Sequence, residues 1–242
     1  SAFIRGVMLI FLILGLSMAA MQVSPVHAAP LTLDVSPPNA QVGSTITISG
    51  LNATGNSEVR IYVVFGFFFT TTMANATGGY LVNVTVPAVP FGSYPIMALD
   101  VASGDTASNS FSVEPRILLT PDEGSFNTVV SVKGEGFNSY SYITLTFDWY
   151  DVTPSSIPQT DFLGSFTAEF NVPEEPNGTY TVTATDTWAV TAQESFTVFP
   201  KIFVYPVTGN RHPANLVLAE GYGFGVFANV KMLFGPVAVT AY

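Results

Sequence analysis

The chain of 242 residues contains no cysteine. This absence excludes disulfide bonds, a thiol nucleophile, a cysteine-based zinc site and a cysteine-ligated iron–sulfur cluster. A secreted domain without disulfides must be stabilised by hydrophobic burial, which a domain of about 85 residues can supply. The fold is therefore expected to contain domains of at least that size, each with its own core.

Charged residues are scarce and histidine is nearly absent. Lys and Arg number seven against 17 Asp and Glu, and no basic run exists, so nucleic acid is not an expected partner. The two histidines are His27, near the N-terminus, and His212, beside Arg211 and Pro213 in a predicted turn. They form no Ser-His-Asp arrangement, and no Gly-rich phosphate loop is present. The sequence therefore indicates a protein that is not an enzyme and binds no organic cofactor.

Only one long apolar run is present, and it lies at the N-terminus. Arg5 precedes the apolar residues 6–16, and Val26 and Ala28 occupy the −3 and −1 positions of a signal-peptide cleavage site. We therefore predict a signal peptide over residues 1–28 and a secreted or cell-surface protein. An uncleaved membrane anchor is one alternative, although the run is shorter than the ~20 residues that a bilayer requires. A pilin-like N-terminal helix is another.

The rest of the chain has the composition of an all-β protein. It is rich in Val, Thr, Ser, Phe and Tyr, and the whole sequence holds 20 Gly and 17 Pro. β-Branched and aromatic residues favour strands, and Gly and Pro favour the turns between them. No segment after the N-terminal run shows a sustained helical period.

The exported part of the chain repeats itself. The first two units, 29–115 and 116–200, end on similar segments, FSVEP at 111–115 and FTVFP at 196–200. A third unit, 201–242, starts in the same way and is expected to be a partial, truncated repeat. Each full unit offers roughly seven short strands separated by turn signals, the pattern of an immunoglobulin-like sandwich.

Corresponding residues recur within these units. An alternating strand ends in each at a glycine, namely Gly50, Gly134 and Gly221. A second alternating strand follows nine residues after each glycine, over residues 59–63, 143–147 and 230–234. Period-two alternation predicts one buried and one wet face, with Ile61, Ile143 and Leu145 in the core and Arg60, Thr144 and Lys231 outside.

The second half of the unit recurs as well. Tyr94 aligns with Tyr180, and Asp100 aligns with Asp186. Each tyrosine follows a turn, so we expect its ring in the core and its hydroxyl bonded to a neighbouring loop, as in a tyrosine corner.

These motifs resemble a known family of repeats. Pro121-x-x-Gly124, a strand, and then Gly134-Glu135-Gly136-Phe137 are similar to the opening of IPT/TIG-type immunoglobulin-like repeats, and more broadly to the repeats of prokaryotic surface and surface-layer proteins. The third unit carries the same pattern over residues 221–224, whereas the first has Gly50-Leu51-Asn52. The resemblance implies tandem β-sandwiches at a cell surface. It implies a fold far more than a function.

Four Asn-x-Ser/Thr sequons lie in the exported part and are candidate N-glycosylation sites. They are Asn52, Asn75, Asn83 and Asn177. The alternative is that these residues are only polar positions of turns and strands.

Two further groups of residues are candidate sites in the second unit. Asp148, Asp151 and Asp161 flank its longest insertion and are candidate calcium ligands, although their spacing matches no defined loop. Trp149, Tyr150 and Trp188 are candidates for an aromatic platform that binds sugar; the alternative is that they are core or cross-strand aromatics. The apolar run 63–69 must be covered on both faces.

Three functions fit this sequence. The first is a structural or adhesive surface protein whose repeats act as spacers and contact modules. The second is an accessory region of a secreted hydrolase, and the third is a carbohydrate-binding module. The expected partners are other surface proteins, glycans or further copies of the chain, with membrane contact only through an uncleaved N-terminal segment.

Overall fold

The computed structural model of the chain describes residues 29–63, 69–205, 217–234 and 237–239. Every helix or strand within these ranges is a β-strand, which confirms the all-β fold. The strands are β1 Asp34–Ser36, β2 Asn39–Gln41, β3 Thr45–Gly50, β4 Glu58–Val63, β5 Phe69–Met73, β6 Tyr80–Thr85, β7 Gly92–Asp100, β8 Thr106–Glu114, β9 Arg116–Thr120, β10 Glu123–Gly124, β11 Val129–Glu135, β12 Ile143–Phe147, β13 Tyr150–Asp151, β14 Phe166–Asn171, β15 Gly178–Asp186, β16 Thr191–Val198, β17 Lys201–Tyr205, β18 Leu218–Tyr222, β19 Met232–Phe234 and β20 Val237–Val239.

Strands β1–β8 form the first immunoglobulin-like sandwich. Its two sheets have the strand orders β1-β3-β6 and β2-β8-β7-β4-β5. All neighbouring strands are antiparallel except β2 and β8, which run parallel. The inward-facing side chains of both sheets form one continuous core, because the strands alternate buried and exposed residues.

Strands β9–β16 form the second sandwich with the same topology. Its sheets have the orders β14-β11-β9 and β10-β16-β15-β12-β13. The register is also the same: Val59 of β4 faces Asp100 in the first sandwich, and Ile143 of β12 faces Asp186 in the second. Each sandwich thus has eight strands, one more than the sequence indicated.

The cores contain the residues that alternation predicted. Ile61, Ile143 and Leu145 are wholly buried, whereas Thr144 is exposed. The tyrosine corners are also confirmed. The hydroxyl of Tyr94 donates to the carbonyl oxygen four residues upstream at 2.7 Å, and that of Tyr180 does the same at 2.8 Å.

The glycines that end the first alternating strands lie under aromatic rings. A Cβ atom on Gly50 would overlap the hydroxyl end of Tyr80, and one on Gly134 would overlap the ring of Phe166. Tyr80 and Phe166 begin equivalent strands, β6 and β14, which pair with β3 and β11. Glycine is therefore required at Gly134 because the ring of Phe166 packs directly on the backbone, and at Gly50 because the carbonyl oxygen of Thr32 and the hydroxyl of Tyr80 leave no room for a side chain.

The third unit begins like the second. β17 pairs with β18 so that Lys201 faces Tyr222, as Arg116 of β9 faces Glu135 of β11. β19 and β20 form a separate antiparallel pair.

Several predictions concern residues outside the described ranges. The signal segment 1–28, the apolar residues 64–68 and His212 are among them, so those predictions stand untested. Among the residues that are described, no helix has the length and hydropathy needed to cross a bilayer.

Candidate functional site

A buried aspartate anchors the loops at one end of the first sandwich. Asp100, at the end of β7, is 1% exposed. Its carboxylate accepts the backbone N–H groups of Thr54 and Ala102 at 2.7 and 3.1 Å, together with three hydroxyl groups. Burial alone would raise the pKa of Asp100, but hydrogen bonds from Thr54 and Ser57 outweigh it and hold the pKa well below its usual range. The charged carboxylate therefore fixes the surrounding loops.

Asp186 has the same role at the end of β15, where it is 4% exposed. One carboxylate oxygen accepts the backbone N–H groups of Trp188 and Val190, and the other accepts the backbone and side-chain N–H groups of Asn138. These four bonds fill the acceptor capacity of a carboxylate. Asp186 is therefore a structural residue that ties the turn after β15 to the segment after β11.

The three carboxylates that were candidate calcium ligands do not meet. Asp148 and Asp151 follow the C-terminal end of β12, where Oδ1 of Asp148 accepts the N–H of Thr181 at 2.7 Å. Asp161 lies beyond the opposite end of β12, and its carbonyl oxygen accepts the N–H of Tyr140. In the ranges that the structure covers, no three His, Cys, Asp or Glu side chains are grouped as metal ligands. Calcium binding stays a prediction that this geometry does not favour.

Asp161 instead shapes a turn that the first sandwich builds with Asn75. In both, Oδ1 accepts the backbone N–H groups two and four residues further along the chain, at 2.8–2.9 Å. This is an Asx turn. Because an uncharged amide does the same in the first sandwich, the turn does not require the negative charge of Asp161.

The three aromatic residues that were candidates for a sugar platform lie in two places. Trp149 and Tyr150 lie at the β12–β13 turn with ring centroids 5.6 Å apart. Trp188 lies in the β15–β16 turn, beside the opposite end of β12. Trp149 and Trp188 are 72% and 75% exposed, so neither is a core residue. The structure therefore separates the predicted platform into two surfaces.

Around Trp188 the structure gathers side chains that the sequence did not connect. Three loops, 138–142, 157–163 and 186–190, lie side by side at this end of the second sandwich; we call them the aromatic loops. Their exposed large apolar residues are Tyr140, Tyr142, Ile157, Phe162 and Trp188. Exposed apolar side chains that cluster in this way mark interaction sites far more often than scattered ones do.

Hydrogen bonds hold the aromatic loops against one another. Oγ of Ser139 donates to the carbonyl oxygen of Phe162 at 3.0 Å, and Nε2 of Gln159 donates to that of Tyr140 at 3.0 Å. On the other side, the N–H of Thr187 donates to Oγ of Ser141 at 3.1 Å. The rings are therefore displayed on loops with a defined arrangement.

The corresponding described loops of the first sandwich, 54–58, 71–77 and 100–104, carry no aromatic residue. The residues of these loops at the positions of Tyr140 and Trp188 are Asn56 and Ala102. Sequence reasoning identified Trp188 but missed Tyr140, Tyr142 and Phe162. The signal for them was the difference between otherwise equivalent repeats, in which Tyr140, Tyr142 and Phe162 stand where the first repeat has Asn56, Glu58 and Ala76.

The four sequon asparagines are exposed. Asn75 and Asn83 each accept a hydrogen bond through Oδ1, Asn75 within its turn and Asn83 from the hydroxyl of Thr47. Asn52 has a positive φ of 66°. The backbone N–H of Asn177 donates to the carbonyl oxygen of Gly223 in the third unit. Exposure is compatible with glycosylation, which stays a prediction.

The joint between the two sandwiches is short and closely packed. Only Pro115 separates β8 from β9. The N–H of Phe91 donates across the joint to the carbonyl oxygen of Phe137 at 2.9 Å. Gly136 has φ 75°, and a Cβ atom there would lie 2.9 Å from the carbonyl oxygen of Glu114. Glycine is therefore required where the second sandwich meets the end of the first.

An ion pair lies beside this joint. Arg116 donates to Glu135 at 2.6 Å, and Lys133 donates to the other carboxylate oxygen at 2.8 Å. Burial alone would raise the pKa of Glu135, but the hydrogen bonds from Lys133 and Arg116 outweigh it and lower the pKa.

The joint to the third unit repeats this arrangement. The N–H of Asn177 donates to the carbonyl oxygen of Gly223 at 2.8 Å. Gly223 has φ 73°, and a Cβ atom there would lie 2.8 Å from the carbonyl oxygen of Phe199. In place of the ion pair, the rings of Phe126 and Tyr222 stack with centroids 4.4 Å apart. The two joints therefore share a left-handed glycine that lies close to the preceding sandwich, whereas the acceptor of the hydrogen bond across the joint is Phe137 in one and Gly223, one position earlier in the repeat, in the other.

Comparison with known proteins gives structural likenesses only. No protein-family model and no curated protein sequence matches the chain. The adhesin InvE of Yersinia pseudotuberculosis matches at 14% identity and TM-score 0.31, covering 69% of this chain and 58% of its own. Invasin, a bacterial integrin-binding protein, matches at 14% identity and TM-score 0.36, covering 73% of this chain and 42% of its own. The fibronectin(III)-like modules of Clostridium thermocellum CbhA match at 18% identity and TM-score 0.23, covering 69% of this chain and 93% of their own.

A β-glycosidase and a transglutaminase are also among the matched structures. At these identities the comparisons concern the fold alone, and TM-scores this low carry no argument about activity or partner. The chain spans roughly half the length of InvE and of invasin. The finer assignment to IPT/TIG repeats is not established by any of these matches.

Proposed function

We propose that this chain is an extracellular, non-catalytic contact protein in which immunoglobulin-like repeats hold binding loops at fixed spacing. The observation that carries the proposal is the set of aromatic loops on the second sandwich. Five large apolar side chains stand exposed there on loops that hydrogen bonds keep in place. Contact surfaces are typically built from aromatic residues on a rigid framework, because little conformational entropy is then lost on binding.

The joints support the spacer part of the proposal. Consecutive sandwiches are separated by one or two residues, and each joint is closed by a backbone hydrogen bond across it. Such connections leave little freedom for neighbouring repeats to move independently. A chain of repeats joined in this way holds its loops at regular intervals.

The buried acids support a binding role over a catalytic one. Asp100 and Asp186 accept several structural hydrogen bonds each and anchor loops. A general acid or base instead needs a carboxyl group that faces a substrate and titrates near the working pH. Glycosylation at the sequons, calcium binding and membership of the IPT/TIG family are further proposals, each resting on sequence alone.

Two tryptophans of nearly equal exposure provide a matched test of the contact surface. Beads coated with the protein are tested for adhesion to cells and to immobilised extracellular proteins and glycans. Trp188→Ala should reduce adhesion, because the ring belongs to the aromatic loops. Trp149→Ala is the control, since it removes the same ring from the other end of the sheet. Equal loss in both variants, or no adhesion by the wild type, would contradict the proposal.

A test of location is independent of the ligand. Brief protease treatment of intact cells should remove the protein, and its N-terminus should begin at or near Ala29. A protein that is protected from protease until the cells are lysed would contradict an extracellular role.

A further inference from the structure

Tyr140 of the aromatic loops occupies a backbone position that has a left-handed conformation in all three repeats. The position lies six residues after the strand glycine, and it is occupied by Asn56, Tyr140 and Phe227 with φ of 58°, 54° and 61°. Asparagine adopts this conformation readily, whereas a bulky side chain does so at a cost in stability. The second and third repeats therefore place an aromatic residue where the first has the residue that fits the backbone.

Packing against the residues that the structure describes does not explain the two rings. Tyr140 is 66% exposed and Phe227 is 100% exposed. An exposed ring gains little from burial to offset the unfavourable backbone conformation. Strain of this kind concentrates where a residue serves binding or catalysis. The geometry points to a contact outside the second sandwich for Tyr140, and the shared backbone conformation makes Phe227 its counterpart in the third unit.

The repeated joint places the two rings equivalently along the chain. Tyr140 lies four residues after Gly136 and Phe227 lies four residues after Gly223. Both glycines have a positive φ, and a Cβ atom on either would lie within 2.9 Å of a carbonyl oxygen of the preceding sandwich. In the third repeat the N–H of Ala228 donates to the carbonyl oxygen of Gly225, as that of Ser57 donates to that of Thr54 in the first, whereas in the second the N–H of Ser141 donates to Oγ1 of Thr160. A ligand that meets both rings must therefore be extended and itself repetitive.

The surroundings of Tyr140 define the chemistry of that ligand. The aromatic loops contain no Lys or Arg, and their single carboxylate outside the buried Asp186, that of Asp161, is engaged in its turn. Next to Tyr140 are the uncharged side chains of Ser139 and Gln159. Each donates one hydrogen bond within the loops, and Oγ of Ser139 and Oε1 of Gln159 can still accept one from a ligand. Aromatic faces pack against the C–H faces of sugar rings, while amides and hydroxyls bond to sugar hydroxyls. A site of this kind fits a neutral polysaccharide.

We propose that Tyr140 and Phe227 are sugar-stacking residues that bind one neutral polysaccharide along successive repeats. This inference rests on the contact function proposed above and names its ligand. Two stacking positions on one rigid chain strengthen each other, because the second contact forms at high effective concentration.

The first repeat supplies the substitution for the test. Tyr140→Asn and Phe227→Asn each remove a ring and install the residue that Asn56 shows to fit the same backbone. Asn56→Tyr makes the converse change and adds a ring to the first sandwich. The variants are compared with wild type by affinity electrophoresis in gels containing a β-glucan, a xylan, a mannan or chitin.

Each single loss of a ring should weaken binding to the retained polysaccharide about tenfold, and the double variant should lose it entirely. Asn56→Tyr should strengthen binding, and the Tyr140→Asn variant should melt at the same temperature as wild type or higher. Unchanged binding in the double variant overturns the assignment of these residues. Failure of every polysaccharide to bind overturns the ligand class, whereas the bead-adhesion and protease experiments test the contact function separately.

Discussion

Replacing the buried aspartate of the first sandwich by its amide isolates the contribution of one charge. In Asp100→Asn, one side-chain oxygen becomes an NH₂ group of nearly the same size. One carboxylate oxygen accepts the backbone N–H of Thr54, and the other accepts that of Ala102. Whichever way the amide turns, its NH₂ group faces one of these backbone donors, which cannot rotate away.

The magnitude follows from these contacts. A buried donor left without an acceptor costs about 1–3 kcal/mol. The remaining hydrogen bonds also weaken, because bonds to an ionised acceptor are roughly twice as strong as neutral ones. The less costly orientation of the amide places its NH₂ group towards Ala102 and Ser57. Only the N–H of Ala102 is then left unpaired, since the hydroxyl of Ser57 can turn and accept from the NH₂ group. We expect a loss of about 2–4 kcal/mol in the unfolding free energy of the first sandwich.

The pH dependence gives the sign of the effect. The pKa of Asp100 is lowered in the folded state. Its stabilising contribution is therefore complete above the ordinary aspartate pKa of about 3.9 and is lost as the pH falls from there towards the folded pKa. The difference between wild type and Asp100→Asn should be largest at neutral pH and should shrink below about pH 4.

Hydrogen exchange is the suitable assay, because both tryptophans lie in the second sandwich and report on it alone. Exchange of the amides of β4 and β7 should accelerate in Asp100→Asn, with those of β12 and β15 as an internal reference. Asp105→Asn is the control, since it removes an equal charge from an exposed residue of the same turn. If both variants accelerate exchange equally, or if the difference does not shrink in acid, the argument from Asp100 is refuted.

The remaining predictions concern the second sandwich and its joint. Leu145→Ala should lower the free energy of unfolding by about 2–5 kcal/mol, as measured by tryptophan fluorescence in urea. Thr144→Ala should lower it by less than about 1 kcal/mol. Similar losses in the two variants would mean that the assigned core face is wrong. Tyr140→Asn should raise the same free energy by about 1 kcal/mol, and Tyr140→Val should lower it, because a β-branched residue fits a left-handed backbone worst. Glu135→Gln should lower it by about 1–3 kcal/mol by leaving Arg116 without its anionic partner; an unchanged urea midpoint would show that the ion pair is not stabilising.

The three candidate calcium ligands show that proximity along the sequence does not fix proximity in the fold. Asp151 and Asp161 are ten positions apart along the chain and flank one insertion. The insertion, however, returns along β12, a strand of five residues with a rise of about 3.3 Å each. The two ends of the insertion, with Asp151 and Asp161, therefore lie at opposite ends of β12. Only the tertiary structure reveals this separation.

The first repeat departs from the shared glycine motif in sequence but keeps its backbone conformation. The sequence has Asn52 where the other repeats have Gly136 and Gly223, and the difference looked like a break in the pattern. All three residues have a positive φ, between 66° and 75°. Asparagine is the residue that best replaces glycine in that conformation. The motif is therefore a requirement for a backbone conformation, which several residue types can meet.

Composition, turn signals and alternation were enough to predict the all-β fold, the repeat and the core. Alternation of period two places Ile61 and Leu145 inside because successive side chains of a strand face opposite ways, which is a local property of the chain. The surface around Trp188 was decided only by the tertiary structure. Tyr140, Phe162 and Trp188 belong to three loops separated by whole strands, and they meet because the sheets bring the ends of those strands together. Local patterns cannot encode such a meeting, because it depends on how distant strands pair.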